Sequence, residues 1–131
     1  MAGVDDLFGG SSDPIVYCRR LTLSSVSVPP KLVVVEASGD IDLASVGEFD
    51  SCLCAAAGAL RVGGRLVVDL TAVGFLAVRG VRSLLQADCV AADRGATVRL
   101  VIGSEPVRLP LRVLGLLDEL EVFTSRVDAA A

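Results

Sequence analysis

The chain contains no histidine and no tryptophan. Without histidine it lacks the usual general base and the commonest metal ligand. Ser-His-Asp and Cys-His nucleophile systems are therefore excluded. The four cysteines, Cys18, Cys52, Cys54 and Cys89, contain no CxxC pair, so the spacing that marks zinc sites is missing. No Gly-rich phosphate loop is present either, and these absences argue against an enzyme and against any cofactor or metal. Aromatic residues make up only 4%, and of 12 basic residues only Lys31 is a lysine. With 16 acidic residues the net charge is −4. Basic residues cluster no further than pairs such as Arg19-Arg20, which speaks against nucleic-acid binding.

Long apolar runs are absent as well. The longest charge-free stretches, Leu21 to Pro30 and Ser51 to Leu60, are ten residues each, whereas a membrane-spanning helix needs about 20. The N-terminus, Met1-Ala2-Gly3-Val4-Asp5-Asp6, is acidic and lacks the basic start of a secretory signal. A cytoplasmic protein without membrane insertion is expected, and in a reducing compartment its thiols read as small buried hydrophobes.

What is present is a core. The 131 residues are 53% hydrophobic, with a mean hydropathy of +0.66, enough for one folded domain. Residues 1–14 combine Gly-Gly, Ser-Ser and Asp-Pro and read as a flexible arm. Residues 15–127 form the expected domain, and 128–131 (Asp-Ala-Ala-Ala) read as a frayed end.

Within the domain, strand and helix patterns alternate. A strand is expected over Tyr17–Val28, closed by Pro29-Pro30, and another from Leu32 towards Gly39. Val46, Phe49, Leu53, Ala56 and Leu60 recur at helical spacing, with Ser45 as N-cap and Glu48 completing a capping box. Leu66–Leu70 is a short buried strand, followed by a loop carrying Gly74 and Phe75. A second helix, Gly80–Arg94, has an apolar face of Val81, Leu84, Leu85, Cys89 and Ala92, with Gly95 beyond its end. Val98–Ile102 is a further strand. Pro106 opens a helical stretch over Val107–Leu117, interrupted by Pro110 and Gly115, and Val122-Phe123 forms a last short strand. The sum is one α/β domain, a small mixed β-sheet covered by amphipathic helices. The carboxylates of Asp40 and Asp42, two apart in a turn, read as turn residues and not as a metal pair.

The order of these segments resembles the STAS domain of bacterial anti-sigma factor antagonists. Gly39-Asp40-Ile41-Asp42-Leu43-Ala44 is similar to that family's G-E-[IL]-D-x-[AS] turn. Arg65–Thr71 is similar to its strand ending in D-L-[ST]. Val73-Gly74-Phe75-Leu76, then Gly80-Val81, matches the frame of V-x-F-[IL]-D-S-[ST]-G-[LV]. Gly95–Val101 and Gly115–Leu120 resemble its last strand and terminal G-L-x-x-L helix.

The resemblance implies a partner-switching protein of transcription regulation. Such an antagonist binds an anti-sigma factor, a kinase-like protein, and so releases a sigma factor. In the family, the second hydroxyl of the loop is the residue that the kinase phosphorylates. Here the loop reads Ala77-Val78-Arg79-Gly80, with Arg79 in the acceptor position, so this motif is degenerate and control by phosphorylation at that place is not expected.

The partner-binding candidates are Asp42, which matches a family position near the loop, and Val78, Arg79 and Arg82. Thr71 and Ser83 are the nearby hydroxyls that could substitute as acceptors. Thr71 is expected to end a strand, and Ser83 to lie on the exposed side of the second helix. Cys54, Cys52 and Cys89 are candidates for a redox-sensitive role, with Cys52 on the apolar face and Cys54 the more reactive thiol. The alternative function is a STAS subunit that binds a membrane transport ATPase constitutively, which would need no acceptor. Homo-oligomerisation is left open by the sequence.

Overall fold

A computed structural model describes residues 15–17, 21–28 and 32–130. The expected N-terminal arm, the Pro29-Pro30 turn and Cys18 lie outside the described residues.

Among the described residues, six strands form one sheet in sequential order. They are β1 (Ile15–Tyr17), β2 (Leu21–Val28), β3 (Leu32–Ile41), β4 (Arg65–Leu76), β5 (Thr97–Val101) and β6 (Glu121–Phe123). The stretch read as one strand over Tyr17–Val28 is thus two, paired antiparallel with Tyr17 opposite Thr22. β2 pairs antiparallel with β3, and β3 to β6 run parallel. The sheet is mixed, as the sequence predicts.

The helices α1 (Val46–Gly58), α2 (Val78–Asp93) and α3 (Glu105–Val113) cross between the parallel strands, and α4 (Arg126–Ala130) ends the chain. Sequential parallel strands joined by crossovers of one hand must place their helices on one face. Accordingly α1, α2 and α3 share a single core with Val33, Val35, Leu66, Val68, Leu70 and Leu100 of the sheet. A smaller cluster on the opposite side joins Val34, Val67 and Val101 to Ala129 of α4. Coverage of both faces explains why Val33–Val35 and Leu66–Leu70 are unbroken buried runs and not alternating ones.

The α1 face is as read: Val46, Phe49, Leu53 and Ala56 are buried, joined by Cys52 and Ala57. On α2 the expected face is rotated. Val81 and Leu84 are buried, but so are Gly80, Ser83, Ala87 and Ala91, while Cys89 and Ala92 are exposed. The helix touches both the sheet and α1, so its buried arc is wider than one stripe and turned towards α1.

Both α2 and α3 stop on a glycine with positive φ, Gly95 at 70° and Gly115 at 72°. After α2, Ala96 N–H donates to Ala91 O and Gly95 N–H to Ala92 O. After α3, Leu116 N–H donates to Leu111 O and Gly115 N–H to Arg112 O. This double bond pattern satisfies carbonyls that the helix end would strand. Pro106 lies in the first turn of α3, and Pro110 is accommodated inside it.

Two segments depart from expectation. Gly74 and Phe75, read as a loop, lie in β4, because β4 keeps pairing with β3 as far as Leu76 opposite Ile41, across two register shifts. The chain end, expected to fray from Asp128, is helical to Ala130 with Ala129 fully buried. Arg99 ties that end down. Its Nη1 donates to Ala129 O at 3.0 Å, its Nε lies 3.3 Å from Glu121, and its guanidinium sits 5.5 Å from the Phe123 ring centroid.

Phe49 is the largest fully buried side chain and packs within the shared core of α1 and the sheet. Phe49→Ala should lower unfolding free energy by about 3–5 kcal/mol, measured by urea denaturation. A loss under about 1 kcal/mol would mean that the site collapses or that Phe49 is not packed as described.

Candidate docking face and its loop

Two adjacent connections build the site: the β3–α1 turn and the β4–α2 junction. Ser45 and Asp42 set the first. Ser45 is 1% exposed, and its hydroxyl donates to Asp40 O at 2.7 Å and accepts from Asp42 N–H at 3.0 Å. The Asp42 carboxylate accepts from the Ala44 and Ser45 amides at 2.9 and 3.1 Å, the local bonding for which Asp is favoured in turns.

The expected capping box does not form, since Ser45 makes no side-chain cap to α1 and its hydroxyl oxygen accepts from Asp42 N–H instead. Glu48 Oε2 is correspondingly buried without a hydrogen-bond partner among the described residues. Asp42, half-buried and engaged by the turn, holds the loop's shape.

The second connection is fastened to the first. Ala77 N–H donates to Ile41 O at 2.8 Å, so α2 begins against the end of β3. A Cβ on Gly80 would stand 2.6 Å from Leu76 Cδ1 and 2.9 Å from Ile41 Cγ2. Leu76 is 2% exposed and Ile41 fully buried, so neither side chain can yield into solvent. Gly74 is a further close approach, with Asp40 Oδ1 only 3.1 Å from where its Cβ would be.

The apex presents a mixed surface. Val78 is 66% exposed, and Leu43 and Phe75 on the same two connections are also exposed. Arg79 and Arg82 project from the first turns of α2 and are exposed. Among the described residues neither arginine takes part in an ion pair. Ala77 offers α2 no side-chain cap, so its first amides are open to an acceptor from outside.

The sequence-derived candidates Asp42, Val78, Arg79 and Arg82 therefore lie on these two neighbouring connections and the start of α2. Thr71 does not end a strand; it lies within β4 and donates to Asp69 Oδ1 at 2.7 Å. Ser83 is not on the exposed side: it is 4% exposed, and its hydroxyl donates to Arg79 O at 3.2 Å.

Asp50 and Gln86 were not singled out from sequence. They join Val46, Gly47, Arg79, Arg82 and Ser83 in lining a cleft of about 170 Å³ between α1 and α2. The spacing 79, 82, 83, 86 marks one helix side, but nothing in the sequence says which side of α1 it meets.

The cysteines separate by exposure. Cys52 is buried, and burial pushes its thiol up to about 11. Cys54 is half-buried and raised too, by burial and then by the Asp50 charge. Neither is an activated thiol, because both effects disfavour the thiolate. Cys89, assigned to the apolar face by spacing, is instead exposed. Of these three thiols in the native protein at pH 7.5, iodoacetamide followed by peptide mapping should label Cys89 first, Cys54 slowly and Cys52 only on unfolding. Fastest labelling at Cys52 would contradict its burial.

Comparison with known proteins accords with this geometry. The family model described as "Mlab, STAS domain" matches residues 24–122. Among solved structures, an anti-sigma factor antagonist from Mycobacterium paratuberculosis is similar with a TM-score of 0.74 at 22% identity, over 87% of this chain and 95% of that one. The anti-sigma factor antagonist SpoIIAA in its unphosphorylated form is similar with a TM-score of 0.66 at 20% identity, over 82% and 91%. A third, the STAS domain of an antisigma-factor antagonist from Rhodobacter sphaeroides, has a TM-score of 0.50 at 23% identity, over 63% and 87%. No curated protein matches the chain. At these identities the structural likeness speaks for the fold. With the family model spanning most of the chain, this protein belongs to the STAS domain family.

Proposed function

We propose that the chain is a cytoplasmic anti-sigma factor antagonist. It binds a kinase-like anti-sigma factor, releases the sigma factor held by that protein, and is not silenced by phosphorylation at the usual loop position. The observation that carries this reading is the apex at the start of α2. An apolar Val78 stands 66% exposed at the start of α2, with the exposed Arg79 and Arg82 following it on the same helix. An exposed apolar side chain flanked by arginines suits a protein contact better than water. Arginine is also the charged residue most enriched where such contacts are tight.

The family likeness supplies the class of partner, and the fold likeness to anti-sigma factor antagonists supports it. Arg79 stands where the family's loop carries its acceptor and offers no hydroxyl. Of the other hydroxyls near the loop, Ser83 is buried, Ser45 is engaged in the turn, and Thr71, though exposed, donates to Asp69 Oδ1. The usual loop position therefore offers no acceptor, and the nearby hydroxyls are each hydrogen-bonded within the fold.

Arg79 also bears on how mutants should be read. A cation in the first turn of a helix opposes the helix dipole by roughly 0.3–1 kcal/mol when exposed. Arg79→Glu should thus leave the fold as stable or slightly more stable. It should nevertheless weaken binding to the cognate anti-sigma factor by about tenfold or more, equivalent to 1.4 kcal/mol, as should Val78→Asp.

The measurement is calorimetric titration of the full chain against a panel of purified anti-sigma factors. Intact mass after incubation with ATP and the binder checks for phosphate. Binding with unchanged mass, sensitive to both substitutions, supports the role. Binding only to the ATPase of a membrane transporter, binding unaffected by either substitution, or phosphate gained on the loop would each overturn it.

A further inference from the structure

The cleft between α1 and α2 holds more charge than the apex alone requires. Arg79 and Arg82 line one wall and Asp50 the other, with Ser83 and Gln86 deeper along α2. Among the described residues, Asp50 forms no ion pair with either arginine. Its floor at Gly47 is open, since a Cβ there would meet nothing within 4 Å.

Both helices begin beside the cleft without a side-chain N-cap; α1 carries Glu48 in its first turn, whereas α2 has no acidic residue there, so the positive end of the α2 dipole adds to the guanidinia. On a chain of net charge −4, this is a local cationic spot.

Size and charge together select the occupant. About 170 Å³ is the room of a few water molecules at roughly 30 Å³ each. That admits one side-chain head group. Two guanidinia less one carboxylate leave a formal charge of +1, which one carboxylate neutralises. A phosphate monoester carries about −1.5 to −2 and would meet Asp50 with a charge surplus. The lining is also rich in donors, two forked guanidinia and the Gln86 amide, and forked donors match the two oxygens of a planar carboxylate. The Ser83 hydroxyl is already committed to Arg79 O; that bond fixes the turn from which Arg79 projects.

We infer that this cleft receives the carboxylate of an exposed Asp or Glu side chain on the protein partner, and that it sets the register in which the α2 apex docks. The inference rests on the docking role proposed above for the same face, but it can be measured on this chain alone.

The experiment is a ¹⁵N NMR titration of the full chain with the blocked peptide Ala-Glu-Glu-Ala and with its Ala-Gln-Gln-Ala twin. Ionic strength is held constant so that screening is equal. Saturating shifts are expected at Gly47, Arg79, Ser83 and Gln86 with the Glu peptide, and about tenfold weaker binding of the Gln peptide. Arg82→Gln should weaken the Glu peptide severalfold, and Asp50→Asn, which removes the like charge, should tighten it. Opposite signs from the two substitutions are not produced by loss of folding.

Equal responses to the two peptides, shifts spread away from the cleft, or loosening by Asp50→Asn would overturn the inference. Stronger binding of inorganic phosphate than of the Glu peptide would overturn it too, marking a site for a free anion. If the Glu peptide saturates the cleft while no anti-sigma factor binds, the docking role fails and the cleft stands. An anti-sigma factor that binds while the Glu peptide does not leaves the role and removes the cleft.

Discussion

The bond from Ala77 N–H to Ile41 O, with Gly80 seated without a side chain against Leu76 and Ile41, is the constraint on which the functional end of this molecule depends. It brings the start of one helix within backbone contact of the preceding parallel strand. Everything at the apex follows from that distance. The turn around Asp42 stands beside the first turn of α2 because the two connections share this bond. Leu43 and Val78, 35 residues apart in sequence, are exposed at the same end of the sheet for the same reason. A larger residue at position 80 would have to push α2 outward, and core overpacking of this kind costs about 1–3 kcal/mol. It would also spread the apex. At this glycine the packing of the core and the shape of the apex are set together.

The rest of the fold is a support for that contact. Three crossovers put α1, α2 and α3 on one face of a sequential parallel array, and their glycine-ended termini return the chain to the sheet without stranded carbonyls. The opposite face is closed more lightly, by Ala129 over Val34, Val67 and Val101, with Arg99 as the polar link. The sheet is therefore shielded on both sides, and its central strands show it in their composition. Arg94 adds a tie at the far end of α2, where its Nε donates to Leu60 O at 2.8 Å. The helix is thus held at both ends, to β3 at its start and to the segment after α1 at its finish. Such fixed ends suit an element whose first turn is to present side chains in a constant geometry.

Much of this was legible in the residues, and the exceptions have a common cause. Phe49, Leu53 and Ala56 on α1 announce their face because that helix buries a stripe of ordinary width. Gly95 and the Leu66–Leu70 run are equally local signals. Positions 74 and 75 were misread because glycine punctuates loops more often than strands, and only the pairing of Phe75 with Asp40 across the sheet shows otherwise. Ser83 and Cys89 were exchanged for a similar reason. A single apolar periodicity cannot show that α2 is buried on two sides, against the sheet and against α1, and that the angle between those contacts turns Ser83 inward and Cys89 out. Ser45 is a cap by type and position, but its hydroxyl oxygen accepts from Asp42 N–H in the turn and not from an amide of the first helical turn. Local chemistry was visible; which neighbour claimed it was not. The family motifs carried the loop's place, while the cleft, built by two helices distant in sequence, had no sequence pattern of its own.

The substitutions in the loop are consistent with one another in electrostatic terms. An acceptor hydroxyl at the start of a helix is a place where negative charge is added covalently, and the open amides there accommodate it. Arginine at the same place adds positive charge to a positive helix end, which is unfavourable for the isolated chain by a fraction of a kcal/mol to about 1 kcal/mol. That cost is removed, or reversed, when an anion is held between Arg79, Arg82 and the two helix starts. In the proposed reading, the negative charge reaches α2 from the partner instead of from a transferred phosphate. A phosphate on the chain would oppose docking, whereas a carboxylate on the partner accompanies it, so the same helix end would change from a point of repulsion to a point of attachment. Asp50 then has a definite part: it keeps the cleft at a single net positive charge and holds attraction to one carboxylate's worth. With Asp50 neutral, the cleft would favour multiply charged anions of any source. In that reading the acidic residue on α1 makes selectivity, and not only affinity, a property of this face.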